Sequence, residues 1–259
     1  MKIFSCVRKR EIIKYKFLGV TVFKRRSRNY IHQRELAYLT NLGSVYHLHQ
    51  EVFPKYKNLY LGKDVVLIAT GPSLKDYSPL KGAVHVGVNR AYSYDKVAFD
   101  YLFLQDYSGS QDYIEQLCKY RGAIKFLGIT PEYFYAGNVI PDIYGSYPEV
   151  ERYYVADPTE KMNFTYDIAY QPLADNYSIV FPAMQFILWT HPKRIYLVGC
   201  DTNTNGYYNA RDNKLEVKKV KQGWLKMRDF IRIFYPDIEV ISINPVGLSG
   251  VFKDLYHRS

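Results

Sequence analysis

The chain has 259 residues, and 35 Lys and Arg against 25 Asp and Glu give a formal net charge of +10. That length suffices for a sizeable core in one large α/β domain, and no run approaches the roughly 18 apolar residues of a membrane-spanning helix. Cys6, Cys118 and Cys200 lie far apart, which excludes a disulfide framework or a paired-thiol metal site and points to a reducing cytoplasm.

Residues 1–28 hold ten basic residues and one acid, Glu11, a net +9 that leaves +1 for the rest of the chain. A nucleic-acid binder spreads its basic residues over a folded face; here the body is near neutral, so nucleic acid is not expected as a partner. The segment is also too charged for a signal peptide. Between its basic clusters runs Phe17-Leu18-Gly19-Val20-Thr21-Val22-Phe23. Basic residues flanking apolar ones suit an anionic membrane surface. The alternative is a hairpin-like extension packed on the domain, with solvated charges. Residues 1–28 are therefore read as a basic-apolar extension, and 29–259 as a single α/β domain.

In chain order, 29–57 reads as helical, with Leu36, Leu39, Leu42 and Val45-Tyr46 on one face. Strands are expected at 64–69, at Val84–Val88, at Tyr101–Leu104 and at Ala123–Leu127, with a helix from Asp112 to Tyr120. Residues 130–177 carry five prolines, many tyrosines and no clear period, as in an irregular lid insertion. A buried helix then spans Ile179–Thr190, a strand runs from Arg194 to Asp201, and a polar loop covers Asn203–Asn213. A helix at Lys218–Phe234 and a last strand at Ile238–Ile243 complete the chain. Strands alternating with helices predict a doubly wound, mostly parallel sheet with helices on both faces.

The most informative stretch is Val65-Val66-Leu67-Ile68-Ala69-Thr70-Gly71-Pro72-Ser73. A β-branched run reads as a strand buried on both faces, and Gly-Pro-Ser after it reads as a tight turn into a helix start. That layout presents backbone N–H groups to an anion, although many such turns bind nothing. Neither G-x-x-x-x-G-K-[ST] nor G-x-G-x-x-G is present. Ligands of doubly wound sheets bind beyond the carboxyl ends of strands. Polar residues stand at four such ends: Thr70 and Ser73, Asn89 and Arg90, Asp106, and Asp201 with Asn203. Together they predict a nucleotide pocket. No His or Cys cluster with metal-ligand spacing occurs. His47 and His49, two apart, read as surface residues, and Cys200 as a small core residue.

Ile68-Ala69-Thr70-Gly71-Pro72-Ser73-Leu74 resembles the Gly-Asn-Gly-Pro-Ser nucleotide loop of the bacterial sialyltransferases of glycosyltransferase family 42. Val86-Gly87-Val88-Asn89-Arg90 is similar to the segment where an Asn of that family contacts the donor. Ser178-Ile179-Val180-Phe181, the strand Ile195–Asp201 and Asn205-Gly206 resemble its Ser-Gly helix, late strand and Asn-Gly loop. The resemblance covers residues 64–250 in patches. Proteins sharing the loop also include flagellin-glycosylation accessory factors and a pterin pyrophosphokinase. The basic, apolar start is similar to the N-terminal tails of several lipopolysaccharide and capsule glycosyltransferases.

The resemblance implies a GT-A-like, Rossmann-like fold and transfer of a sialic-acid-like sugar from a CMP-sugar, without metal or cofactor, by direct displacement. The expected partners are a nucleotide-sugar donor, a glycan or glycolipid acceptor of surface polysaccharide assembly, and an anionic membrane surface met by residues 1–28 from the cytoplasmic side. Thr70, Gly71, Pro72, Ser73, Asn89, Arg90, Ser178 and Asn203 are the expected nucleotide contacts. The family's base is a His, yet the matching stretch Lys218–Gly223 has none, and Asn203 stands where a Tyr is expected. Asp106 or Asp201 is therefore expected as base, with Tyr208 or a Lys of 218–221 on the leaving phosphate. An ATP-dependent pyrophosphokinase-like enzyme and a non-catalytic nucleotide-sugar-binding protein are the alternatives.

Overall fold

Along the strand Asp64–Ile68, Val65 and Leu67 enter one apolar cluster while Val66 and Ile68 enter another. Side chains alternate across a strand, so a run without polar residues must be covered on both faces. A computed structural model shows how this comes about. It describes residues 3–9, 12–26, 28, 43–105, 111–129, 147–156, 163–202, 206 and 217–256.

The chain divides into two compact units, Met1–Ser44 and Val45–Ser259. In the first, β1 (Phe4–Lys9), β2 (Ile12–Phe17) and β3 (Val20–Arg26) form an antiparallel meander. Leu18 and Gly19 both have positive φ, the geometry of a tight hairpin turn whose twist matches its strands. The register shifts between Tyr15 and Lys16, which oppose Phe23 and Thr21, so Val22 is the extra residue of a bulge.

The second unit is built on an eight-stranded, wholly parallel sheet in the order β11-β10-β9-β4-β5-β6-β7-β8. Its strands are β4 (Asp64–Ile68), β5 (Val84–Val88), β6 (Tyr101–Leu104), β7 (Ile124–Ile129), β8 (Val150–Tyr154), β9 (Arg194–Val198), β10 (Glu239–Ile243) and β11 (Lys253–Leu255). One face is covered by residues 45–52 (α1), by α3 (Val180–Trp189) and by α4 (Val217–Phe234). The other is covered by α2 (Gln111–Lys119) and by two 3-10 turns, Pro72–Asp76 and Asn89–Ser93. All ten residues of α3 are buried. Phe186 on it meets Phe53, Tyr101, Phe103 and Phe126, and the Phe103 and Phe126 rings stack at 4.6 Å. Much of the aromatic content described is thus core.

Three expectations change. The 130–177 stretch contains a true strand, β8, and its segment 163–177 packs into the core through Ile168, Leu173 and Ala174. The lid reading falls on 130–146 and 157–162, outside the described residues. Ile238–Ile243 is not the last strand, because Lys253–Leu255 pairs beyond it. Both additions are sheet edges, where charged residues replace the apolar run that marks a central strand. His49 is not a surface residue. It is fully buried, its Nδ1 2.7 Å from the Ile168 carbonyl and its Nε2 accepting from the Tyr154 N–H at 2.8 Å. Residues 29–42, with Leu36, Leu39 and Leu42, lie outside the described residues.

Candidate functional site

Strand order reverses between β4 and β9, because β5 to β8 continue on one side of β4 and β9 to β11 on the other. Beyond the carboxyl ends of these two strands lies the switch-point crevice where open α/β sheets bind ligands. The residues after β4 are Thr70, Gly71, Pro72 and Ser73, and those after β9 are Gly199, Cys200 and Asp201. Sequence reading thus located this edge of the sheet.

The turn itself is not the open anion cradle that its sequence suggested. Gly71 donates its N–H to the Gly199 carbonyl at 2.8 Å, and Leu74 to Gly71 at 3.0 Å. Pro72 has no N–H. Ser73 gives its N–H to Asp201 Oδ2 at 2.8 Å and its hydroxyl to Oδ1 at 2.7 Å. The anion held at the start of the Pro72–Asp76 turn is therefore the protein's own carboxylate. Gly71 has φ −67°, so it is not required for its dihedral angles. It is required for space, since a Cβ there would lie 2.5 Å from Asp201 Oδ2 and 2.5 Å from the Gly199 oxygen. Burial raises the Asp201 carboxyl above its ordinary value, and the two Ser73 bonds oppose that. Cys200 is buried in this join, and burial pushes its thiol up, which leaves it an unreactive core group.

Two of the seven buried side-chain atoms without a partner among the described residues stand at the next strand ends, and a third, Thr202 Oγ1, follows Asp201. Asn89 follows β5 with φ 49°, and its Oδ1 is buried without a partner among the described residues. Gln105 follows β6, the neighbour of β5, and its Oε1 is likewise buried without a partner. Buried acceptors are nearly always paired, so two orphans on adjacent strand ends call for an explanation. Arg90, next to Asn89, is exposed.

Sequence reasoning missed Asp175. Gln105 Nε2 donates to its Oδ2 at 2.6 Å, and the Tyr177 N–H to its Oδ1 at 3.1 Å. Burial raises its carboxyl above the ordinary value; these two hydrogen bonds work against the shift. Asn176 and Tyr177 both have positive φ, 37° and 70°, which is strained for a side chain as bulky as tyrosine. Two contacts hold the strain. Lys219 Nζ lies 4.4 Å from the Tyr177 ring centroid, and Gly223 of α4 abuts Phe181 and Asn176 so closely that a Cβ would not fit. Ser178 follows, half-buried, its N–H on the Asp175 carbonyl at 2.7 Å. No side chain caps the first turn of α3 beyond it. The sequence offered no signal for Asp175, an acid before a helix being ordinary.

The structure thus brings Thr70, Gly71, Pro72, Ser73 and Asp201 together, sets Asn89 and Arg90 on the adjoining strand, and places Ser178 with Gln105 and Asp175. Asp106, Asn203 and Tyr208 lie outside the described residues. Among the described residues, no group of three or more His, Cys, Asp or Glu is placed to hold a metal ion, and no helix is long and apolar enough to cross a membrane.

No family model matches the chain, and no curated protein matches it in sequence. Similar solved structures include two of the sialyltransferase CstII from Campylobacter jejuni, one in complex with cytidine-5'-monophosphate and one with CMP-3FNeuAc. Each is 17% identical to this chain. The first covers 70% of this chain and 79% of its own, with a TM-score of 0.43; the second covers 74% and 85%, with a TM-score of 0.40. A likeness this distant carries no argument about what this chain does.

Proposed function

We propose that the protein is a glycosyltransferase that moves a sialic-acid-like sugar from a CMP-sugar to a hydroxyl of a glycan or glycolipid, in the assembly of a surface polysaccharide such as lipopolysaccharide or capsule. The observation that carries the reading is the pair of buried acceptors without a partner among the described residues, Asn89 Oδ1 and Gln105 Oε1, on adjacent carboxyl ends beside the switch point. Acceptors without donors suit a ligand rich in N–H and O–H groups. Cytosine offers an exocyclic amine where uracil offers a carbonyl, and ribose and sugar offer hydroxyls. The Thr70–Ser73 loop adds its sequence resemblance to a nucleotide loop, while its turn is braced by Asp201 rather than open to an anion.

In this reading the acceptor hydroxyl attacks the anomeric carbon. A new C–O bond forms, the bond to the phosphate oxygen breaks, and CMP leaves with that electron pair. The hydroxyl proton needs a base. Asp175 suits that role, as a half-buried carboxylate whose raised pKa brings it closer to neutral pH. Asp201 serves by fixing the loop through Ser73. Ser178 stands half-buried just before α3, where its hydroxyl can donate to the leaving phosphate. Asn203 and Tyr208 keep the roles expected from the sequence, on the nucleotide and on the leaving phosphate.

Thermal unfolding with CMP, UMP and ATP, followed by product analysis with CMP-sugars and UDP-sugars with and without EDTA, tests this. A ligand that binds only the folded state at a hundredfold excess over its Kd adds about 2.7 kcal/mol of stability. CMP is expected to raise Tm most, and CMP release to survive EDTA. No response to CMP together with no CMP release overturns the reading. Magnesium-dependent AMP release from ATP replaces it with a pyrophosphokinase-like reaction, and CMP-sugar binding without turnover with a binding protein.

A further inference from the structure

The N-terminal meander sorts its side chains along the strands. At one end, Phe4, Phe17 and Val20 stand level in the pairing register, next to the Leu18-Gly19 turn. The Leu18 N–H donates to the Ile3 carbonyl at 2.8 Å, which ties the start of β1 to that turn. This tip is open, with Phe4 73% exposed, Val20 67%, Val22 62% and Leu18 48%. At the other end Arg8, Lys9, Arg25 and Arg26 occupy the outer strands on either side of Ile12 and Ile13, and Lys14 faces Lys24. The three strands hold seven basic residues and no acid, the seventh being Lys16 near the tip. Lys14 and Lys24 stand directly opposite each other, a like-charge pair that repels unless an anion lies between or above it. Between the two ends sits an aromatic step. The Tyr15 and Phe23 rings are 5.8 Å apart, and the Arg25 guanidinium is 5.5 Å from the Tyr15 centroid.

We propose that this meander is a membrane-docking element that enters an anionic lipid bilayer tip first, with Phe17, Leu18 and Val20 in the acyl boundary and the lysines and arginines as a collar among the headgroups. The dimensions fit. Phe17 lies three steps along the strand from Lys14, about 10 Å at the rise of a strand, and interfacial elements bury their apolar side about 5–10 Å deep. Tyr15 then lies at headgroup level, where aromatic rings with a polar edge collect, with Phe23 packed beside it. A soluble polyanion such as RNA would satisfy the collar and leave the tip in water, so lipid is the occupant that uses both ends. The proposal is independent of the sugar chemistry proposed above.

Flotation of the full chain with phosphatidylcholine vesicles, and with vesicles that also contain phosphatidylglycerol, tests it. The protein is expected to float with the anionic vesicles and not with the neutral ones. Leu18→Ser with Phe17→Ser, and separately Lys14→Glu with Lys24→Glu, are each expected to weaken partitioning about tenfold or more. Leu18→Trp supplies a local readout, because Trp189 and Trp224 are both buried. Its fluorescence is expected to shift to the blue and to be quenched by lipids brominated high on the acyl chain. An unchanged melting curve for each variant shows that the fold survives. Equal flotation with both vesicle types, flotation of the serine variant at the wild-type level, an unquenched Trp, or binding to RNA with no flotation would overturn the proposal.

Discussion

Ser73 holds Asp201 through both of its donors, the backbone N–H to Oδ2 and the hydroxyl to Oδ1. One serine after β4 thereby binds the end of β9 across the point where strand order reverses. Hydrogen bonds to a carboxylate contribute about 1.5–3 kcal/mol each. Asp201→Ala, which leaves Ser73 without its acceptor, is expected to lower the unfolding free energy by about 2–4 kcal/mol in urea titration. Ser73→Ala removes one bond and is expected to cost about 1.5 kcal/mol. The double variant should fall well short of the sum, because both changes delete the same interaction. Additive losses would show that the two residues act separately.

Gly71 makes that approach possible. Gly71→Ala places a methyl 2.5 Å from both Asp201 Oδ2 and the Gly199 carbonyl, which is backbone and cannot swing aside. Overpacking of this kind costs about 1–3 kcal/mol, and here it also opens the Ser73–Asp201 bonds. Gly82→Ala is the contrast, since nothing lies within 4 Å of a Cβ there and only its φ of +79° is strained. It is expected to cost about 1 kcal/mol. The two variants also separate in CMP binding, which Gly71→Ala is expected to weaken and Gly82→Ala to leave intact, as read by the CMP-induced rise in Tm.

These two residues mark how far the sequence could be read. Val65 to Ile68 announced a strand covered on both faces, and the apolar period of Lys218–Phe234 announced α4, because burial imposes a local pattern. The Gly-Pro-Ser turn was legible as a strand end but not as an occupied one. Its partner Asp201 is 128 positions away, and no local pattern encodes such a pairing. Asp175 was invisible for the same reason, its partner Gln105 being 70 positions distant. Edge strands β8 and β11 were missed because an edge needs charge as much as apolar side chains.

His49 gives a pH dependence with a defined sign. Its Nε2 accepts from Tyr154, so Nδ1 carries the proton donated to Ile168, and the ring must be neutral to make both bonds. Burial, the largest cause, lowers its pKa from 6.5 to about 4. The unfolded chain therefore binds a proton that the folded chain refuses across this window, and stability falls as pH drops from about 6.5 toward 4. At 1.36 kcal/mol per unit the loss attributable to this ring is about 3 kcal/mol. Wild type minus His49→Gln, measured by urea titration from pH 4 to 7, should reproduce that slope. The variant itself is expected to be about 1–3 kcal/mol less stable at pH 7. Parallel profiles would show that the ring does not titrate in this range.

Asp175 separates binding from chemistry. Asp175→Asn keeps an acceptor for the Tyr177 N–H and the volume of the side chain, so the fold and the CMP-induced rise in Tm are expected to persist. Removing the proton acceptor is expected to lower kcat about 100- to 10,000-fold, the range for general-base catalysis. The wild-type rate should rise with pH through the raised pKa of this carboxyl, since only the ionised form takes a proton, and that acid limb should vanish in the variant. Gln105→Leu removes the donor that favours the ionised form, so it should move the limb to higher pH without abolishing it. A variant that loses CMP binding along with turnover would assign Asp175 to holding the 175–178 segment in place. An unchanged acid limb would assign the proton to another group.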